Sequence, residues 1–135
     1  MKINLIDFGD NSYHFTINVK VNNIDATFLI DTGATNTVVF KRFYEENFEK
    51  EISLQVSDIA ASASGENMET GSVIVDSIKI GNKEVTNFKI GCMNMDHIEN
   101  IYKTTNKGNI NGMIGADLMY ILKVTLNFDK LEYTV

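Results

Sequence analysis

The stretch Ala26-Thr27-Phe28-Leu29-Ile30-Asp31-Thr32-Gly33-Ala34-Thr35-Asn36-Thr37-Val38-Val39-Phe40 limits the possible folds of this chain more than any other. A β-prone apolar run carries one carboxylate, Asp31, into a tight Thr-Gly turn, and a second apolar run leaves at once on the far side. An acid so placed is held by a core without being sunk in it. The plainest account is a strand, a turn and a strand, with Asp31 and Gly33 chosen only because they tolerate tight backbone geometry.

A chain of 135 residues is expected to form one domain spanning 1–135, and at this size roughly two-thirds of the unfolded surface is buried without disulfide staples. Eight Phe and five Tyr are available to fill a core, and with no Pro the turns must rely on Gly, Asn and Asp. The net charge of −6, with no Lys/Arg cluster to offset it, argues against a nucleic-acid partner or an anionic membrane surface. Cys92 is the single cysteine and sits in the apolar run Phe88-Lys89-Ile90-Gly91-Cys92-Met93, so it is expected to be a buried thiol. No stretch has the length of a transmembrane helix, and Met1-Lys2-Ile3-Asn4-Leu5-Ile6-Asp7 lacks the apolar core of a signal peptide. The expected location is cytoplasmic, or periplasmic or membrane-tethered if a leader has been removed.

Along the chain, Asp7-Phe8-Gly9 matches a kinase metal-binding triplet, but the other kinase motifs are missing and it reads as a turn. Phe15, Ile17, Val19 and Val21 alternate with polar residues, the period of a half-buried strand, and Asn22-Asn23 reverses the chain into Ile24 to Ile30. The acid is therefore aimed by the second arm of a hairpin. Lys41 to Phe48 predicts a short helix with Phe40, Phe43, Tyr44 and Phe48 towards the core. Ile52 to Val75 predicts a long hairpin with the polar centre Ser62-Ala63-Ser64-Gly65-Glu66-Asn67. Strand character continues through Ile80, turns at Gly81-Asn82-Lys83 and returns from Val85 to Cys92. Asn94 to Asn109 is polar, a loop or short helix with an amphipathic hint in Ile98, Ile101 and Tyr102, and carries no evident chemistry. His14 and His97 have no partner at ligand spacing, so no metal is expected. Gly108, Gly112 and Gly115 do not form a dinucleotide fingerprint, no phosphate loop follows them, and no cofactor is expected. Val124 to Phe128 and Leu131 to Val135 alternate about Asp129-Lys130 as a terminal hairpin or bent strand.

The second motif is Asn109-Ile110-Asn111-Gly112-Met113-Ile114-Gly115-Ala116-Asp117-Leu118-Met119, two apolar residues and a glycine followed by a short helical patch. Together with Ile30-Asp31-Thr32-Gly33-Ala34 it resembles the retroviral-type, retropepsin-like family of single-domain aspartic proteases, including bacterial relatives, over about Phe15 to Phe128. The resemblance implies an all-β fold, a closed, orthogonal β-barrel with one or two short helices and a β-hairpin flap. It implies Asp31 as the catalytic residue and Thr32, Gly33 and Ala34 as the active-site loop. Ala63, Ser64, Gly65 and Glu66 would be the substrate-binding flap, and Gly112, Met113, Ile114 and Gly115 the wall beside the catalytic loop. The chain departs from the compact viral enzymes in its extra polar length from Asn94 to Asn109 and in its lack of proline. In viral relatives the termini interleave into a shared sheet, for which Ile3 to Ile6 and Leu131 to Val135 are the segments available here.

Amide hydrolysis at such a site needs two carboxylates sharing one proton, because two like charges in close contact do not both ionise. This chain has one Asp-Thr-Gly, and Met113-Ile114-Gly115 brings no acid. An enzyme of this kind must therefore be a twofold homodimer in which each chain supplies Asp31. By resemblance, Thr32 would bond across the axis, and the two flaps would close over an extended peptide and pair with its backbone. A different class of reading is a non-catalytic peptide-binding or dimerisation module on the same fold, against which the desolvation cost of an idle carboxylate at a packed turn argues.

Overall fold

The alternation seen in the sequence is realised strand by strand in a computed structural model that describes residues 1–48, 53–55 and 70–135, with side chains for 1–48 and 71–135. β1 (Asn4–Asp7) pairs antiparallel with β2 (Tyr13–Val21), and β2 with β3 (Ile24–Ile30). Between β1 and β2, Asp7-Phe8-Gly9 is the expected turn: the Gly9 N–H donates to Asp7 Oδ1 at 2.8 Å, and Gly9 adopts φ +83°. The β2–β3 reversal is the tight kind, with Asn22 and Asn23 both left-handed at φ 48° and 67°, a conformation that asparagine tolerates better than most residues.

β4 (Val38–Phe40) runs directly into α1 (Lys41–Asn47), whose Phe43 and Tyr44 are buried as expected. β5 (Ser53–Gln55) pairs with the start of β6 (Thr70–Ile80), and β6 turns into β7 (Lys83–Met93). The arms of the expected long hairpin are therefore present, while its centre, Ala63, Ser64, Gly65 and Glu66 included, lies outside the described residues. α2 (Asp96–Thr104) occupies the polar stretch, followed by β8 (Gly112–Ile114), α3 (Ala116–Ile121) and the terminal hairpin of β9 (Thr125–Asn127) and β10 (Glu132–Thr134).

The sheet runs β1-β2-β3-β8-β4-β7-β6-β5, and β2 also pairs with β6 through Lys20–Lys79 and Val21–Ile78. That second pairing closes β2, β3, β8, β4, β7 and β6 into a six-stranded barrel, which leaves those strands no open edge. The barrel fills with the inward residues of each strand: Ile17, Val19 and Val21 from β2, Phe28 from β3, Val39 from β4, Val75, Ile78 and Ile80 from β6, and Ile90 and Cys92 from β7. Cys92 is thus the buried thiol expected, and burial pushes its pKa up to about 11.

A smaller cluster of Leu29, Phe40, Met95, Tyr102 and Ile110 packs α2 against the outer face of the barrel. Here the amphipathic expectation needs one correction. Ile98 and Tyr102 pack inwards, but Ile101 is exposed and Glu99 is buried in its stead. The reason is Arg42 of α1, whose guanidinium meets Glu99 at 3.3 Å and Asp96 at 3.2 Å. The two chain ends meet within the one molecule: Lys2 bridges Glu132, Ile3 N–H donates to Leu131 O at 2.8 Å, and Tyr133 N–H donates to Met1 O at 2.7 Å.

Candidate active site

β3 ends at Ile30, so Asp31 is the first residue outside the ladder and its side chain is only half buried. Three bonds fix it. Its N–H donates to Ile114 O of β8 at 3.1 Å, its carbonyl accepts the Ala34 N–H at 3.1 Å, and its Oδ1 accepts the Gly33 N–H at 3.0 Å. The turn therefore folds back on its own carboxylate, and a Cβ at Gly33 would stand 3.3 Å from Oδ1. Glycine here leaves the acid room.

β8 lies between β3, which it joins in parallel with Leu29 opposite Met113 and Ile30 opposite Ile114, and β4, which it joins antiparallel. Gly112, Met113, Ile114 and Gly115 thereby run beside the strand and turn that carry Asp31. The approach is close enough to demand glycine. A Cβ at Gly112 would lie 2.5 Å from the Phe28 ring and 2.6 Å from Val38 O, and one at Gly115 would lie 2.6 Å from Asn36 O and 2.9 Å from Ala34 O. The Ala116 N–H then donates to Ala34 O at 2.8 Å, which ties the first turn of α3 to the loop.

Beneath this loop is a polar knot that the sequence reading did not identify. Thr37 is fully buried, and its hydroxyl donates to Asp117 Oδ1 at 2.7 Å while accepting the Gly115 N–H at 3.0 Å. The same carboxylate oxygen accepts the Thr37 N–H at 2.9 Å and the Leu118 N–H at 2.7 Å. Charge-assisted bonds of this kind are the stronger ones, and these join the two motifs recognisable in the sequence. An acid at the start of a short helix was visible in Ala116-Asp117-Leu118; its partner 80 residues earlier was not.

Thr32 is exposed, and its hydroxyl has no partner among the described residues. Beside it a shallow hollow of about 430 Å³ is lined by Thr32, Ala116, Met119, Tyr120, Lys123 and Val124. Tyr120 is 74% exposed, with Lys123 Nζ over its ring at 3.7 Å. At the start of β2 stands His14, whose Nδ1 lies 2.8 Å from the Tyr102 hydroxyl. Burial lowers its pKa, and the charge of Asp31 opposes that change. A separate pocket of about 140 Å³ around Arg42, Glu99 and Lys103 shares no residue with the Asp31 loop. Among the described residues, no three His, Cys, Asp or Glu side chains are grouped to hold a metal ion.

Many solved structures share this architecture, three of which show the likeness in numbers. The retroviral protease-like domain of Ddi1 from Leishmania major matches with a TM-score of 0.62 at 12% identity, over 89% of this chain and 86% of that one. EIAV protease, complexed with the inhibitor HBY-793, matches with a TM-score of 0.62 at 18% identity, over 91% of this chain and 100% of that one. A retropepsin-like aspartic protease from Rickettsia conorii gives 0.56 at 20% identity, over 93% and 83%. A search of curated proteins finds no match. At such identities the structures speak for the fold alone, which is the retropepsin barrel. The sequence itself goes further, because residues 17–118, from the middle of β2 to Leu118 of α3, match the family model described as aspartyl protease. With the Asp31 motif, all but the last residue of the second motif and the strands that join them inside the matched span, the chain belongs to the aspartyl protease family.

Proposed function

We propose that the chain is an aspartic endopeptidase whose water-activating pair is two Asp31 carboxylates, one from each chain of a homodimer. The observation that carries this reading is the placement of Asp31: braced by β8 and by its own turn, yet half open to solvent, and supplied once per chain. In the pair, the ionised carboxylate takes a proton from water as the oxygen adds to the scissile carbonyl carbon. The protonated carboxyl donates to the carbonyl oxygen. Collapse of the tetrahedral diol breaks the C–N bond: the carboxyl that took the water proton gives it to the departing nitrogen, and the carboxylate that had donated takes a proton back from a diol hydroxyl. Each carboxylate thus exchanges roles within one turnover.

Thr32, exposed and with its hydroxyl unpartnered among the described residues, would bond across the twofold axis, and the hollow beside it offers apolar contact to the second copy. Ala63, Ser64, Gly65 and Glu66 would be the flap that closes on an extended peptide. Sedimentation equilibrium over a dilution series, with the peptidase rate read on the same samples, tests the assembly. Dissociation that tracks loss of activity is expected. Asp31→Asn is expected to remove activity by at least about 10³-fold while leaving the far-ultraviolet circular dichroism unchanged. A variant cleaving at the wild-type rate would overturn the role of Asp31, and a stable monomer that never cleaves would favour the peptide-binding module.

A further inference from the structure

The pocket of about 140 Å³ away from the Asp31 loop is walled by charged and amide side chains from three directions. α1 brings Arg42 and Glu46, α2 brings Glu99 and Lys103, and the segment leading into β8 brings Asn109 and Asn111. Asn111 is fixed in place. Its N–H donates to Thr27 O at 2.9 Å, its Oδ1 accepts the Thr27 N–H at 2.9 Å, and its carbonyl accepts the Phe40 N–H at 2.8 Å. Arg42 ties the two helices together through Asp96 at 3.2 Å and Glu99 at 3.3 Å. The walls are therefore held before anything enters, and the space exceeds what one water needs, about 30 Å³ of liquid.

Glu99 is the unusual group in this wall. Its side chain is only 8% exposed, and the access it keeps is to the pocket it lines. Oε2 faces Arg42 Nε, while Oε1 has no donor among the described residues. A carboxylate so far removed from bulk water is under-satisfied by one partner, and burial accordingly raises its pKa. The opposite charge is on hand as well. Lys103 lines the same pocket with no carboxylate in ion-pair range among the described residues, and Glu46 adds a second acid. Arg42 has five N–H donors and spends few of them on its two acids. The pocket thus has a negative and a positive pole, each with bonding capacity left over.

We propose that this pocket is a binding site for a small zwitterion of the α-amino-acid class, its ammonium on Glu99 Oε1 and its carboxylate on Lys103 and the remaining N–H groups of Arg42. A simple cation would be repelled by Lys103 and Arg42, and a simple anion by Glu99 and Glu46, so only a ligand carrying both charges satisfies both poles. The occupant rests against Asn111, one residue before the strand that braces Asp31. The site stands whether or not the chain is an endopeptidase.

The test is an NMR titration of isotope-labelled protein with L-serine, with acetate and methylamine as the two half-ligands. Saturable shifts are expected at the amides of Glu99, Lys103 and Gly108 to Asn111, with each half-ligand binding at least about tenfold more weakly. Glu99→Gln and Lys103→Ala are each expected to weaken L-serine by about tenfold. Lys103 is exposed in the last turn of α2, so its variant keeps the test decisive even if Glu99→Gln fails to fold. No saturation with L-serine would overturn the proposal. So would acetate or methylamine binding as tightly as L-serine, which would make the pocket a plain anion or cation site, and so would Lys103→Ala binding L-serine as the wild type does.

Discussion

Thr37 and Asp117 hold the site more than their distance from the reacting atoms suggests. The hydroxyl of Thr37 satisfies the buried Gly115 N–H and one lone pair of Asp117, so removing it leaves an amide without a partner next to the loop that carries Asp31. Thr37→Val, matched in shape, is expected to cost about 1–3 kcal/mol in urea unfolding. Thr37→Ser, which keeps the oxygen, should lose less. Activity should fall with stability in the first variant and largely survive in the second. The sequence made Asp31, Gly33 and the wall glycines legible because turn chemistry and close backbone approach leave a local mark in residue type. The Thr37–Asp117 bond leaves none, since it depends on a register that exists only once the strands have paired.

Helix α2 shows how far an amphipathic pattern can be trusted. Tyr102 and Ile98 fell on the packed side as their apolar spacing required, but Glu99 was placed there by an ion pair with Arg42 on another element, which no periodicity reports. Burial raises the Glu99 pKa above its ordinary 4.5, and Arg42 pulls it back only in part. The folded state therefore holds that proton more tightly than the unfolded chain. The resulting stability is fully present below about pH 4.5 and is lost as pH rises through the folded-state value. Arg42→Met removes the compensating charge and is expected to cost about 1–3 kcal/mol at pH 8, Arg42 being partly exposed, and clearly less at pH 5. Chemical denaturation at the two pH values checks the sign. The paired strands were easier to foresee, for Asn22-Asn23 and the alternation of β2 specify a hairpin locally. Closure of the barrel by β2 and β6 was legible only through the family resemblance.

The molecule as a whole is closed in two places. The barrel has no free edge among its six strands, and the chain ends pair with each other within the one molecule, Lys2 with Glu132. In viral relatives, by resemblance, the ends interleave between subunits; here the contacts between the ends are already made before a second copy arrives. A folded monomer is therefore expected on dilution. Circular dichroism should hold steady over the concentration range in which the peptidase rate collapses, whereas a protein whose ends needed the partner would lose both together.

The insertion of β8 between β3 and β4 also has a consequence for how the protein is made. A ribosome releases the hairpin bearing Asp31 early, but the strand that braces it and the carboxylate that anchors Thr37 emerge some 80 residues later. Until then the gap between β3 and β4 stands unfilled and the acid has no wall. A nascent chain thus lacks the brace of the Asp31 loop through most of its synthesis, and the order of translation makes that loop the last part of the barrel to be completed.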